Sequence, residues 1–363
     1  MEKVFLWGTG KVASDVINEF DVFNRYDVLG FIDNNKSNIG KVFFGKEVFS
    51  PDVLQTVEAN IIVILTDYYD EIVEQIKSKY PELKCAVEDK RYFYKMALKR
   101  RYAGSTDVEI KKVLEYIDDY GLDVFNYSFV QKYTDYKAEA YFDNMSGLYY
   151  VMHNGKKMYI SGSFDTKEKA EKYYKSLLIE QDEKSPHRYL TNDFDVNSDD
   201  VIVDAGAAEG IFTLDVIDKV KRAYLIEADE KWIEALKLTF ADYMEKIVIV
   251  DKYLSDDNIG NYASLDEVIP EPVDFIKMDI EGCEWEALQG AAVLIEKSPR
   301  LKCAVCVYHR DYDNILIQQE FAKHKMRFEN TAGYMWFPWG VSRGQNVVST
   351  KLCRGILRAW KNK

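Results

Sequence analysis

The sequence predicts an α/β protein with two separate parallel sheets joined by a mixed helical and hairpin region. Three observations predict it. Strand-like runs alternate with helical stretches, the signature of parallel pairing. Two strand–glycine–helix turns stand far apart, one after Lys3 and one after Val201. A length of 363 residues also exceeds what one average core accommodates.

The first unit covers residues 1–100. Its opening strand runs into Gly8, Thr9 and Gly10, and an amphipathic stretch follows to about Phe20. An apolar run over 28–32 ends at Asp33, and a hairpin-like stretch occupies 40–48. Residues 61–65 are continuously apolar, as a strand buried on both faces should be. A helix over 69–80 and a short strand over 84–87 complete the unit.

Residues 101–195 differ in character. A helix is expected over 108–120. The stretch 148–160 reads as a hairpin, with Asn154 and Gly155 supplying the positive φ angles of a type I′ turn. Asp165 caps the next helix, with Glu168 close to a capping box, and the helix runs to about Glu183.

Residues 196–363 hold the second sheet, with strands over 201–204, 223–227, 247–250, 273–279 and 301–308. The intervening helix 284–296 places Trp285, Leu288, Ala292 and Ile295 on one face. A helix over 315–325 and β segments over 327–329 and 334–337 follow. In the tail, Lys351, Arg354, Arg358, Lys361 and Lys363 are interleaved with Leu352, Ile356 and Leu357, a terminal helix or strand docked on the body.

Hydrophobic residues at 47% and charged residues at 30% describe an ordinary globular chain. A net charge of -13 argues against nucleic acid as the main ligand, because phosphates repel an acidic surface. The five cysteines form no plausible disulfide framework. Cys303 and Cys306 lie three apart on one strand and face opposite ways, so they cannot share a metal. No apolar run approaches the ~18 residues that a membrane span needs. Met1 leads directly into a strand without a signal-peptide pattern, so a cytoplasmic, reduced setting is expected.

Asp204, Gly206, Ala207 and Gly210 sit between a buried strand and a helix. Glycines let the backbone approach a ligand, and a helix amino terminus favours an anionic group. Here the glycines are four apart and an acid precedes the first, unlike a dinucleotide fingerprint. That acid could receive an amino-acid ammonium. Glu227, ending the next strand, is then the natural acceptor for two ribose hydroxyls.

With these motifs the chain resembles the FkbM-type methyltransferase family across roughly residues 145–363. The resemblance is carried by the stretches 201–210, 225–229 and Ser264-Leu265-Asp266. It rests above all on 275–282, with Glu284 and the run 287–290 behind it. A segment over 180–189 and another over 308–313 resemble a subgroup of the family. A parallel sheet closed by a late hairpin likewise outlines the class I methyltransferase sheet. The resemblance implies methyl transfer from S-adenosylmethionine to oxygen, often on sugars or polyketides. Many members carry a polar residue where this chain has Ala208.

Ligands in such sheets bind outside the carboxyl ends of the strands. Asp279 and His309 end the fourth and fifth strands, with Glu281 just beyond, and all three should face the transferring methyl. Asp251 and Lys252 end the third strand, where adenine contacts usually fall. His309 titrates near neutrality and is the first candidate base, with Asp279 orienting it or acting itself. A competing reading makes Asp279, Glu281 and His309 ligands of a divalent ion such as magnesium. His187 would belong to a lid and Arg188 would grip an anionic group such as a nucleotide-sugar phosphate.

In the first unit, Gly8, Gly10 and Ala13 fit a G-x-G-x-x-A turn, and Asp33 falls where a ribose-binding acid belongs. The unit resembles small Rossmann-like domains that precede some sugar acetyltransferases, which implies a nucleotide sugar as its ligand. The favoured function is O-methylation of a saccharide or sugar-nucleotide hydroxyl in glycan biosynthesis. The alternatives are a non-catalytic nucleotide-sugar-binding recruitment protein and an NAD-dependent oxidoreductase.

Overall fold

The computed structural model describes residues 1–338, 340–342, 345–347 and 350–361. Lys363, counted above with the basic tail, lies outside them. The chain forms two compact units, 1–123 and 124–363. Helix Val108–Tyr120 therefore belongs with the first unit, while the hairpin region belongs with the second.

The first unit carries a six-stranded sheet. From one edge its order is Val42–Phe43, Lys46–Phe49, Asp27–Ile32, Lys3–Trp7, Ile61–Ile64 and Ala86–Asp89. All pairings are parallel except the edge hairpin. The chain turns to opposite sides of Lys3–Trp7, which makes the carboxyl end of that strand a topological switch point. There the Gly8 amide donates to the Ile32 carbonyl at 2.8 Å. Helix Val108–Tyr120 starts at Asp107, whose carboxylate accepts from the amides of Glu109 and Ile110.

The second unit is built on seven strands in the order Ile247–Val250, Arg222–Ile226, Val201–Ala205, Phe275–Met278, Lys302–Cys306, Ile356–Trp360 and Arg327–Asn330. The first five are parallel, and Ile356–Trp360 is antiparallel to both neighbours. This is the class I methyltransferase arrangement. Every residue of Val201–Ala205 is buried, with Ile202 facing one core and Val201, Val203 and Ala205 the other. Cys303 and Cys306 likewise face different cores.

Three expectations are corrected. The partner of Arg327–Asn330 is not residues 334–337, whose β pairing among the described residues is an isolated bridge from Met335 to Cys353. It is Ile356–Trp360, where Ile356 fills one core and Leu357 and Ala359 the other. The helix expected over 284–296 is two helices, Glu284–Gln289 and Ala292–Lys297. At Gly290, where the two helices meet, a Cβ would lie 2.4 Å from the Ser255 carbonyl oxygen, so no side chain fits there. The second helix has its own acceptor, since Asp266 takes the amides of Val293 and Leu294 at 3.0 and 2.6 Å. Helix Lys167–Glu180 is capped by Thr166, whose hydroxyl accepts from the Lys169 amide. Asp165 instead pairs with the Lys169 ammonium at 2.6 Å.

The hairpin Leu148–His153 and Lys156–Tyr159 turns at Asn154 and Gly155, with φ of 49° and 80°. Among the described residues, no helix is long and apolar enough to cross a membrane.

Candidate functional site

At the carboxyl end of Val201–Ala205 the backbone enters a left-handed turn at Gly206, with φ of 71°. A Cβ there would sit 1.8 Å from the Asp279 carbonyl oxygen, so only glycine fits between the two strand ends. Ala208 and Glu281 also hold positive φ, 45° and 57°, the second followed by Gly282 at 95°. Strained backbone thus clusters on both sides of one crevice. The crevice is a cleft of about 360 Å³ lined by Gly206, Ala208, Glu227, Lys252, Asp279 and Glu281, among others.

Glu227 sits at the cleft with its carboxylate fixed by three backbone amides. One oxygen accepts from Ala228 and Asp229 at 2.8 and 2.9 Å, the other from Ala208 at 3.0 Å. The turn and the acid are therefore locked together. Ala207 and Gly210 support the turn without lining the cleft: Ala207 is buried, and a Cβ on Gly210 would strike Phe240 at 2.7 Å. Asp251 is exposed and outside the lining, whereas Lys252 is in it and donates to the Gly260 carbonyl at 3.1 Å. Tyr253, Leu254 and Tyr262 form the wall where Asp251 was expected. Sequence reasoning missed the two tyrosines, which the short parallel pairing of Tyr253–Leu254 with Tyr262–Ala263 sets side by side.

Asp204 does not face the cleft. Its carboxylate is fully buried, 3.1 Å from the Lys277 ammonium and accepting from the Thr213 hydroxyl at 2.8 Å. It has no room for an external ammonium. Lys277, unassigned from the sequence, also donates to the Gly206 carbonyl at 2.6 Å and so ties the glycine turn to the fourth strand. Burial would lower its pKa, but Asp204 and Asp279 outweigh that and raise it.

Asp279 is the hub of the cleft. Tyr189 donates to one carboxylate oxygen at 2.9 Å, and Tyr308 lies 3.5 Å from the other. His309 Nε2 is 3.4 Å away and His187 Nε2 3.8 Å. Burial raises the Asp279 pKa, yet the two histidines and Lys277 carry it down to about 2. His309 is buried, with Nδ1 2.9 Å from Glu284. Burial opposes its charge, but Glu284, Asp279 and Glu281 hold its pKa up to about 9. Carboxylates facing both ring nitrogens favour its protonated form. Glu281 lies 3.8 Å from His309 with a side chain 83% exposed, and its pKa is raised by partial desolvation against the pull of His309.

His187 is not a lid residue. Its side chain is buried between Glu180 at 3.1 Å and the Tyr308 hydroxyl at 3.0 Å, beneath the cleft. The Arg188 guanidinium is spent on the backbone carbonyls of Leu190 and Gln181 and lines a different cavity. Two trios could be tested for a divalent ion: Asp279, Glu284 and His309, and His187, Asp279 and Cys306. The first replaces the expected Glu281 by Glu284. It fits poorly, because both ring nitrogens of His309 already face carboxylates and Glu284 accepts from the Ile280 amide at 2.9 Å.

In the first unit, Gly8 and Gly10 line a cleft of about 450 Å³ together with Asp33, Thr66 and Asp67. Asp33 accepts from the Thr9 hydroxyl, the Asn35 amide at 2.8 Å and the Asn38 side chain at 3.0 Å. Burial raises its pKa, but these hydrogen bonds lower it overall.

Comparison with known proteins follows the same division. Residues 261–335 match the family described as Methyltransferase FkbM domain, which places that similarity in the second unit. The match includes Asp266, Asp279, Glu281 and His309 and begins after the glycine turn. Residues 1–84 match the family described as C2185-like, N-terminal. No curated protein matches the chain. Among solved structures, a methyltransferase FkbM from Methylobacillus flagellatus KT is 16% identical, with a TM-score of 0.45, over 99% of this chain and 90% of that one. A putative methyltransferase from Streptococcus mutans in complex with SAH is 11% identical, with a TM-score of 0.32, over 46% and 91%. A ribosomal protein L11 methylase from Lactobacillus delbrueckii subsp. bulgaricus is 12% identical, with a TM-score of 0.30, over 45% and 69%.

Proposed function

We propose that the chain is an S-adenosylmethionine-dependent O-methyltransferase acting on a saccharide hydroxyl in glycan biosynthesis in the cytoplasm. The observation that carries the reading is the Gly206 turn, which only glycine can make, locked to Glu227 at the mouth of one cleft. Gly206, Ala208 and Glu227 would hold the cofactor, and Tyr253 and Tyr262 would wall its base. When bound, the cofactor supplies an electrophilic methyl group.

The chain's own residues supply the rest. An acceptor hydroxyl must lose its proton as it attacks. Because carboxylates occupy both ring nitrogens of His309 and Asp279 is a weak base, Glu281 is the better acceptor for that proton. Its raised pKa, its exposure and its place in the cleft lining support this. His309 then acts as a positioning residue that holds Asp279. A nucleotide-bearing ligand is proposed only for the first unit, at Gly8, Gly10 and Asp33.

Calorimetry tests the reading. S-adenosylmethionine should bind with micromolar affinity, and Glu227→Ala should weaken it by ~1–3 kcal/mol as charge-assisted hydrogen bonds are lost. Glu281→Gln should lower turnover by roughly a hundredfold or more, with cofactor affinity nearly unchanged. Binding of a nicotinamide cofactor instead would move the chain to the oxidoreductases.

A further inference from the structure

The buried charges around the cleft do not cancel. Lys277 has Asp204 at 3.1 Å, His309 has Glu284 at 2.9 Å, and His187 has Glu180 at 3.1 Å. Each of these three groups thus has a carboxylate nearer than Asp279. Asp279 is then the surplus negative charge, and its side chain is only 20% exposed. Of the other two acids near it, Glu209 is buried, receives the Tyr173 hydroxyl and is pushed up by burial to about 7, and Glu281 reaches solvent. Two tyrosine hydroxyls hold the Asp279 carboxylate at the cleft wall, and Gly206 presses against its backbone. Asp279 shares His309 and His187 with carboxylates that lie nearer to each of them, so the cluster keeps a negative charge in excess at the cleft wall, which an entering cation would offset.

We infer that Asp279 is the counter-ion of the cofactor's sulfonium, so that the cleft prefers the charged methyl donor over its neutral thioether product. A sulfonium has no proton to donate, so it can be recognised only by charge placed beside it, where low polarity strengthens the attraction. Preference for the donor would also ease product release. The inference rests on the methyltransferase reading and deepens it.

The test is a pair of titrations, S-adenosylmethionine and S-adenosylhomocysteine, on the full chain. The wild-type protein should bind the charged ligand at least about fivefold more tightly. Asp279→Asn should weaken S-adenosylmethionine by about tenfold and S-adenosylhomocysteine by less than about threefold, removing the preference. Equal or tighter binding of S-adenosylhomocysteine by the wild type overturns the inference, as does a preference that survives the substitution. Should the asparagine variant not fold, Asp279→Ser removes the same charge and leaves room for water. If the wild type binds neither molecule, the methyltransferase reading itself fails, a result distinct from parity between the two.

Discussion

At Gly206 in the second unit an added Cβ would lie 1.8 Å from a backbone oxygen, while at Gly10 in the first unit nothing lies within 4 Å. Gly8 is intermediate, with the Leu65 carbonyl oxygen at 3.0 Å. Both turns sit at the carboxyl end of a central parallel strand, and both precede a helix. They differ in what surrounds them. The second turn is wedged against the Asp279 backbone and tied to Lys277, in a setting of buried ion pairs. The first opens on a cleft where Asp33 is satisfied by Thr9 of the turn and by Asn35 and Asn38 of its own loop. The same chain pattern therefore produces a rigid, charge-filled crevice in one unit and an open, locally stabilised one in the other.

The loss of all cofactor binding, the largest expected effect on function, separates the two turns directly. Gly206→Ala should cost ~3 kcal/mol or more and abolish cofactor binding, because neither strand end can retreat. Gly10→Ala should change stability by less than about 0.5 kcal/mol. Thermal unfolding of both variants checks this, and equal costs would erase the contrast.

A second measurement sharpens the electrostatic half of the comparison. Lys277→Met leaves Asp204 buried without its cation and should destabilise by ~3–5 kcal/mol. Thr9→Val removes one hydrogen bond from the partly exposed Asp33 and should cost about 1 kcal/mol. Denaturant titration of the two variants would give comparable losses only if the Asp204 pair were open to water.

The smallest effect is a pH dependence confined to the second unit, which contains all four histidines. The His309 pKa stands near 9 in the fold against ~6.5 in an unfolded chain. Its contribution is complete below about pH 6.5 and is lost as the pH climbs towards 9, a loss on the order of 1–3 kcal/mol. Glu209, raised to about 7, also favours the fold at lower pH, but its window closes earlier. Hydrogen exchange at pH 6.5 and 9 should show the second unit weakening more than the first. His309→Gln should remove most of the slope above pH 7.

Much of the outline was readable from local pattern. The five parallel strands, the Asn154–Gly155 turn and the close-approach glycine at 206 each follow from residues near in sequence, because apolar runs and positive-φ turns are local requirements. The cap at Thr166 was missed by one residue, since Asp165 and Thr166 are both good caps and only the Lys169 ion pair separates them. The helix break at Gly290 was missed because the apolar spacing runs straight through it, while the Asp266 carboxylate that receives the second helix's amides is distant in sequence.

The sequence by itself determined two glycine turns, a Glu227 at the end of the next strand, and Asp279 and His309 at the ends of the fourth and fifth. Only the tertiary structure decided which charge meets which. Asp204 went to Lys277, His309 to Glu284 and Arg188 to backbone carbonyls, leaving Asp279 facing the cleft. The reason is physical: residue type and spacing set where a carboxylate lies along a strand. Its ionisation and its partner depend on neighbours brought in from other strands, through burial and distances of a few ångströms.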